Sequence, residues 1–235
     1  MASVADNLVA VRERIRAACE RAGRAADSVE LIAVSKTIPT ETIREAFAAG
    51  QTLFGESRQQ EAAPKIEALP AALRWHFIGR VQSNKVRKLL PAFDAIHAID
   101  SLRLAAYTAE LAADLGLFPK LFLQVNVAGE AAKGGFEPAL LRTHMAALLR
   151  LPRLEILGLM TLPPVAPEAE SARPWFVKLR ELRDSLEQEF AVRLPALSMG
   201  MSGDFDVAVE EGATHVRVGS AIFGERTSRL DGELG

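Results

Sequence analysis

The sequence is poor in cysteine, histidine and tyrosine, and this scarcity excludes several kinds of site. It has one cysteine, Cys19, which cannot form an intrachain disulfide. Neither Cys19 nor the four scattered histidines show the spacing of metal ligands. The formal net charge is only -2, without a basic half or an acidic tail, so nothing points to nucleic acid or an anionic membrane as a partner. No metal or nucleic-acid site is therefore predicted.

Long apolar runs are also missing. No segment approaches the roughly 18 apolar residues that a membrane-spanning helix needs. The N-terminal region carries Asp6, Glu13 and Glu20 where a secretory signal would be continuously apolar. The sequence therefore predicts a cytoplasmic protein.

The length and composition are those of a single globular domain. The chain has 235 residues, of which 49% are hydrophobic and 25% charged. Although many domains have about 100–200 residues, α/β barrels of about 200–250 residues fold as one domain. We expect one domain over residues 1–235.

Apolar segments alternate with amphipathic segments along the chain. The apolar segments predict strands at residues 31–36, 53–57, 74–79, 95–100, 120–127, 155–162, 196–199 and 214–218. The amphipathic segments predict helices at residues 6–22, 41–49, 60–68, 84–90, 102–115, 138–149, 168–190 and 206–211. This alternation predicts parallel strands joined by crossover helices. Eight such units behind one extra helix predict an α/β fold, a single (β/α)8 TIM barrel with an extra N-terminal helix. A doubly wound open sheet is the alternative, although no GxGxxG motif follows a strand.

Lys36 ends the first predicted strand, just before a turn that contains Thr37 and Pro39. In a (β/α)8 barrel the functional groups lie at the C-terminal ends of the strands. A lysine there is either a solvated strand end or a reactive amine held over a pocket. The residue alone leaves both interpretations open.

Two loops near the C-terminus have the composition of an anion site. The segments SMGMSGDF (198–205) and VRVGSAIFG (216–224) place Ser202, Gly219 and Ser220 directly after strands seven and eight. Loops in this position are the usual phosphate site of a (β/α)8 barrel, because exposed backbone N–H groups attract anions. Glycine and serine are also ordinary turn residues, so simple turn chemistry is the competing interpretation.

Arg217 favours a ligand, because it lies between two valines in an apolar strand. A buried guanidinium needs an acid, an anion or a ligand atom as partner, and Glu56 or Asp204 could serve as a structural partner. A ligand with a phosphate and an aldehyde would use Lys36, the anion loops and Arg217 together. Pyridoxal 5′-phosphate (PLP) is such a ligand, and its aldehyde condenses with a neutral amine, which partial burial favours.

Six motifs carry a resemblance to a known family. They are AVSKT (33–37), FGESRQQE (54–61), WHFIGRVQSNK (75–85), LQVNVAGEAAKGGF (123–136), GLMTLPP (158–164) and SMGMSGDFDVAVEEGATHVRVGSAIFG (198–224). Each motif is weak alone, but together they cover nearly the whole chain in order. The sequence resembles the pyridoxal phosphate homeostasis proteins of the YggS/PROSC type, which are single-domain relatives of the alanine racemase N-terminal barrel.

The resemblance implies a function and a site. It implies a protein that holds PLP as an aldimine on Lys36, the catalytic candidate, and takes part in PLP homeostasis, with apo-PLP enzymes as partners and a monomeric state. The implied cofactor-binding residues are Lys36, Ser57, Met201, Ser202, Arg217, Gly219 and Ser220. In this set Ser202, Gly219 and Ser220 would hold the phosphate, and Arg217 would face the pyridine nitrogen. Ser57 departs from the asparagine usual in the family, so one polar contact to the cofactor is in doubt.

Turnover is a separate question. An arginine at the pyridine nitrogen disfavours a proton there, so the ring would be a weak electron sink. A two-base racemase also needs a second acid or base, and the single tyrosine, Tyr107, falls in a helix after strand four. The sequence therefore predicts a PLP carrier without strong turnover. The alternatives are a PLP enzyme with weak racemase or lyase activity and a Schiff-base barrel that acts on a sugar phosphate.

Two further residues are ambiguous. His76 could orient a cofactor group, or it could be a hydrogen-bonded histidine of the barrel. The second interpretation is favoured, because buried polar groups are usually hydrogen-bonded. Lys133 is either a solvated loop charge or a second PLP anchor.

Overall fold

Eight parallel strands form a closed barrel in the structure, a computed structural model that describes residues 2–130, 133–164 and 167–225. The strands are β1 (Glu30–Val34), β2 (Leu53–Glu56), β3 (Arg74–Phe77), β4 (Ala95–Ile99), β5 (Lys120–Gln124), β6 (Glu155–Met160), β7 (Ala196–Ser198) and β8 (His215–Val218). Each strand pairs with the next, and β8 closes on β1 with Val218 opposite Ala33. The predicted TIM barrel is confirmed, and the open sheet is excluded.

Helices surround the barrel in the described part of the chain. They are α1 (Val4–Arg21), α2 (Thr40–Ala48), α3 (Gln59–Ala68), α4 (Val86–Leu89), α5 (Leu102–Leu115), α6 (Pro138–Leu149), α7 (Arg173–Phe190), α8 (Phe205–Glu210) and α9 (Ser220–Phe223). Short 3-10 turns, Ser83–Lys85 and Ala169–Ala172, precede α4 and α7. None of the helices in these ranges is long and apolar enough to cross a membrane.

Some predicted boundaries were wrong for local reasons. The predicted helix at 168–190 begins as an α-helix only at Arg173, because Pro174 lacks an N–H and is best accommodated in the first helical turn. The first predicted strand ends at Val34, not at residue 36. Lys36 therefore lies in the loop, two residues past the strand.

The core has two layers. One lies between the barrel and the helices and contains alternate strand residues such as Val216 and Val218. Inside the barrel, a small apolar cluster is formed by Ala95, Phe122, Met160 and Ala196. Buried polar side chains also lie inside the barrel, among them His76, His97, Ser198 and Arg217. Arg217 belongs to the candidate site described below.

The extra helix α1 completes the outer ring. It packs against α2, α8 and α9, and it buries Leu8, Val11 and Ile15. The helix after β8, α9, has only four residues, so it cannot cover the seam between β8 and β1 alone. The Asn7 side-chain amide donates to the carbonyl of Ile222 at 2.9 Å and ties α1 to α9.

Candidate functional site

Lys36 lies at the C-terminal rim of the barrel, beside the end of β8. Val218 is opposite Ala33, so Gly219 and Ser220 leave their strand next to the segment that carries Lys36. Lys36 is half-buried, and it lies two residues past the end of β1. Lys36, Gly219 and Ser220 therefore share one side of the rim.

The chain around Lys36 is held in an unusual conformation. Thr37 has a φ of 65°, in the left-handed region that a β-branched residue rarely adopts. Its backbone N–H donates to Glu61 Oε1, and its hydroxyl donates to the carbonyl of Lys36. Strained backbone of this kind persists where the surroundings fix it, and it is frequent at functional sites.

A buried ion network supports the same segment from outside the barrel. Lys65 donates to the carbonyl of Ser35 at 2.8 Å, to Glu56 Oε1 at 2.8 Å and to Glu61 Oε1 at 2.6 Å. The hydroxyl of Ser35 also donates to Glu56 Oε1, at 2.7 Å. The residues before and after Lys36 are thus bound to one cluster on β2 and α3.

The two carboxyl groups of this cluster differ. Glu56 is fully buried, and burial raises its pKa in spite of the hydrogen bonds from Lys65 and Ser35. Its Oε2 has no hydrogen-bond partner among the described residues. Burial opposes ionisation of Glu61 too, but hydrogen bonds from Lys65 and the Thr37 N–H hold its pKa below the usual value.

The loops after β7 and β8 meet at Ser202. The backbone N–H groups of Gly219 and Ala221 both donate to Ser202 Oγ, at 3.1 and 3.3 Å. Two amides that converge on one oxygen are the chemistry by which backbone binds a phosphate oxygen. Ser220 lies between them and is exposed.

The turn that carries Met201 and Ser202 requires glycine at position 200. Gly200 has a φ of 92°, and a Cβ there would lie 2.6 Å from Ala208 Cβ. After this turn, the Met201 N–H donates to Asp204 Oδ1 at 2.6 Å. Met201 and Ser202 are both half-buried at the rim.

Arg217 is buried, with an exposed fraction of 4%, in the inner wall of β8. Nη1 donates to Ser198 Oγ at 2.5 Å, and Nη2 donates to the carbonyl of Thr161 at 2.8 Å. Two of its five N–H groups thus have acceptors within residues 2–130, 133–164 and 167–225. Burial lowers the pKa of Arg217 to about 10, an effect that the charge of Asp204 partly offsets.

Glu56 and Asp204, the two acids considered as structural partners of Arg217, form hydrogen bonds with other groups. Glu56 bonds Lys65 and Ser35, and Asp204 Oδ1 accepts the Met201 N–H. Within the described ranges, Arg217 forms no salt bridge. The guanidinium therefore keeps donor capacity for a ligand acceptor, as a pyridine nitrogen would provide.

Ser57 lies on the rim at the next strand. It follows β2 and lines a cavity of about 210 Å³ with Arg58, Phe77 and Arg80. Its backbone passes so close to Gly79 that a Cβ on that glycine would lie 2.2 Å from the Ser57 carbonyl oxygen. The seven predicted residues thus lie on the rim or inner wall at β1, β2, β7 and β8, and their contacts to a cofactor stay a prediction.

The two ambiguous residues have structural partners. Lys133 donates to the carbonyl of Pro163 at 2.9 Å and pairs with Glu130 at 2.5 Å. His76 lies inside the barrel, where its Nδ1 is 2.9 Å from His97 Nε2. His97, Ser198 and Lys65 were missed from the sequence, although strict alternation from Ala95 and Ala196 would have indicated that His97 and Ser198 face inward.

Comparison with known proteins identifies the family of the chain. The sequence matches the family described as "Alanine racemase, N-terminal domain" over residues 7–227. A pyridoxal phosphate homeostasis protein of Aquifex aeolicus is 49% identical over 222 residues, which is 94% of this chain and 97% of that protein. One of Escherichia coli K12 is 41% identical over 237 residues, at 96% and 98% coverage.

The chain belongs to the alanine racemase N-terminal domain family. Within that family it is similar to the pyridoxal phosphate homeostasis proteins cited above, over 94% and 96% of its length. The structure of PipY from Synechococcus elongatus PCC7942 with PLP bound is 41% identical, has a TM-score of 0.83, and is matched over 94% of this chain and 100% of that one. An alanine racemase of Clostridium difficile 630 is 15% identical with a TM-score of 0.72, over 95% of this chain and 61% of that one, and shows the shared fold alone.

Proposed function

We propose that this protein binds pyridoxal 5′-phosphate and takes part in its homeostasis. The proposal rests on three groups on the neighbouring strands β1, β7 and β8 or just past their C-terminal ends: a half-buried Lys36, two amides that converge on Ser202, and a buried Arg217 with spare donors. An amine, an anion cradle and a donor to a ring nitrogen are what an aldehyde-bearing pyridine phosphate needs. The full-length similarity to pyridoxal phosphate homeostasis proteins supports the same ligand.

In this proposal each group has one task. Lys36 would hold PLP at its aldehyde carbon, and Ser202, Gly219 and Ser220 would hold the phosphate through amides and hydroxyls. Arg217 would donate to the pyridine nitrogen, while Met201 and Ser57 would line the pocket. When bound, PLP supplies an electrophilic carbon and an electron-accepting ring.

The ring environment favours a carrier over an enzyme. A carboxylate at the pyridine nitrogen would stabilise a proton there, whereas the charge of Arg217 repels one. Tyr107 lies on α5 in the outer ring and is 38% exposed. We therefore propose that the protein holds PLP and delivers it to apo-enzymes without strong turnover.

We also propose that the protein acts as a monomer in the cytoplasm. Support comes from the site, since Lys36, Ser202, Gly219 and Arg217 all belong to one chain. The buried, unpaired Cys19 fits a reducing compartment. Size-exclusion chromatography with light scattering tests the oligomeric state.

Borohydride reduction tests the central proposal. The full chain is incubated with PLP, reduced, digested and mapped by mass spectrometry. We expect a pyridoxyl adduct on Lys36 that Lys36→Ala removes, while Lys133→Ala, which removes a half-buried loop lysine as the matched control, retains it. An adduct on Lys133 alone, or none, would contradict the proposal.

Turnover is tested on the same preparation. The PLP-loaded protein is incubated with a panel of amino acids, and product is followed over time. A product that accumulates in the wild type and disappears in Lys36→Ala would favour the weak racemase or lyase. A colourless protein that takes up no PLP would favour the sugar-phosphate alternative.

A further inference from the structure

Polar side chains span the inside of the barrel from one wall to the other. Ser198 on β7 lies 2.8 Å from His97 Nδ1 on β4, and His97 Nε2 lies 2.9 Å from His76 Nδ1 on β3. Ser198 and His97 are fully buried, and His76 is 5% exposed. Barrel interiors are usually filled by branched apolar residues, so this row of three polar side chains is unexpected there.

The row begins at Arg217, which sets its direction. A guanidinium only donates hydrogen bonds, so Ser198 Oγ accepts from Arg217 Nη1 at 2.5 Å. The hydroxyl proton of Ser198 is then free to donate. Among the described residues, the acceptor within reach of it is His97 Nδ1.

The same logic fixes the proton on each ring. If His97 Nδ1 accepts, the proton of a neutral ring lies on Nε2 and points at His76 Nδ1. His76 in turn accepts on Nδ1 and carries its proton on Nε2. Both rings are neutral in this arrangement, in agreement with burial, which lowers the pKa of His97 well below its usual value and that of His76 to about 3.

Other charged groups lie on a separate branch. His215 stacks on His76 with ring centroids 5.9 Å apart, and its Nε2 lies 3.1 Å from Glu30 Oε2. Glu30 also accepts from Arg74 at 2.9 Å. This branch lies at the N-terminal end of the strands, away from the rim that carries Lys36, and no hydrogen bond between described residues joins it to the row.

We infer that Ser198, His97 and His76 are positioning residues that hold Arg217 as a fixed hydrogen-bond donor to the cofactor, an inference that rests on the proposed function. Ser198 and the Thr161 carbonyl bind the two terminal nitrogens of Arg217, which fixes the plane of the guanidinium. With a proton on His97 Nδ1, Ser198 Oγ would accept from both His97 and Arg217, and its own hydroxyl proton would lose its acceptor among the described residues. The neutral row therefore satisfies the hydroxyl that anchors the cationic donor.

The proton positions can be measured without cofactor. Long-range ¹H–¹⁵N spectra of the ¹⁵N-histidine-labelled full chain at pH 7 report the tautomer of each ring, and His76→Phe and His97→Phe assign the signals. We expect neutral, Nε2-protonated rings at His76 and His97. An Nδ1-protonated or doubly protonated ring at either position would contradict the inferred direction of the hydrogen bonds from Ser198 to His97 and from His97 to His76.

The link to the ligand needs matched variants. His97→Phe retains the ring that stacks on Phe122 at a centroid distance of 4.1 Å but cannot accept from Ser198. His97→Gln can still accept and donate. We expect about tenfold weaker PLP binding and a shifted absorbance maximum of bound PLP for His97→Phe, the effect of a lost partner in a charged hydrogen-bond chain. For His97→Gln we expect affinity within about threefold of wild type and an unshifted spectrum.

The outcomes separate this inference from the proposed function. Wild-type affinity and spectrum in His97→Phe would overturn the positioning role, even with the expected tautomers. Equal weakening in both variants would assign His97 to packing alone and would also overturn it. Absence of a wild-type adduct on Lys36 would instead contradict the proposed function, whereas the tautomers are read in cofactor-free protein and stand independently.

Discussion

At the scale of single residues, Lys65 is the buried charge on which the segment around Lys36 depends. Its ammonium is shared by Glu56, Glu61 and the Ser35 carbonyl. Removal of one partner from a buried ion cluster is costly, because the remaining charges stay desolvated. Lys65 therefore couples the stability of α3 to the geometry of the candidate site.

Lys65→Met should lower the free energy of unfolding by about 3–5 kcal/mol, because two carboxylates would lose their shared cation. The matched control is Arg87→Met, which removes an exposed ion pair with Asp114 and should cost less than about 1 kcal/mol. Urea denaturation of both variants measures the difference. A loss in Lys65→Met no larger than in Arg87→Met would mean that the cluster does not stabilise the segment.

At the scale of elements, two glycines at the rim differ in what they allow. Gly79 follows β3 and packs against the backbone of Ser57, so the β2 and β3 loops cross at that glycine. Gly203 lies between Ser202 and Asp204, is exposed, and has no atom within 4 Å of the place of a Cβ. A side chain at position 79 would therefore clash with backbone, whereas a side chain at position 203 has space.

Gly79→Ala should destabilise the protein by at least about 2 kcal/mol, because its methyl would overlap backbone that cannot move aside cheaply. Gly203→Ala should be neutral or stabilise by up to about 1 kcal/mol, since it only restricts the unfolded chain. Thermal and chemical unfolding compare the two. Equal effects would show that the loop crossing at Ser57 is looser than the structure indicates.

The elements were largely predictable, but contacts across the barrel were not. The apolar segments identified all eight strands, and their alternation with helices implied closure through parallel pairing. Local pattern did not indicate that Ser198 on β7 meets His97 on β4, because that contact exists only once the barrel has closed.

Two features of the site went against local preference. Lys65 stands four residues after Glu61 on a polar helix, where a solvated i,i+4 pair is the ordinary expectation, yet it is buried by the fold. Thr37 adopts a positive φ that its side chain disfavours, because Glu61 holds its N–H. Tertiary contacts overrode local propensity at both positions. Both residues support the segment around Lys36: Thr37 follows it directly, and Lys65 binds the Ser35 carbonyl before it.

At the scale of the whole molecule, the polar interior makes stability depend on pH. Burial lowers the pKa of His76 to about 3 and that of His97 well below its usual value. In the unfolded chain both rings take up protons near pH 6.5. Between these limits the unfolded state binds more protons than the folded state, so acid favours unfolding.

The free energy of unfolding should therefore be highest above pH 6.5 and fall as the pH drops, by about 1.4 kcal/mol per pH unit for each ring once unfolded histidines are protonated. Glu30, whose pKa the His215 hydrogen bond lowers to about 2, acts in the same direction but only below about pH 4.5. Urea unfolding from pH 7 to pH 5 covers the range in which the histidines act, and Glu56, whose pKa burial raises, acts there in the opposite direction. The share of His97 is the difference in slope between the wild type and His97→Phe, in which His76 and every carboxyl group are retained. A slope in His97→Phe equal to that of the wild type would mean that His97 is not a buried neutral ring, since a ring that gains no proton in the folded state must cost stability in acid.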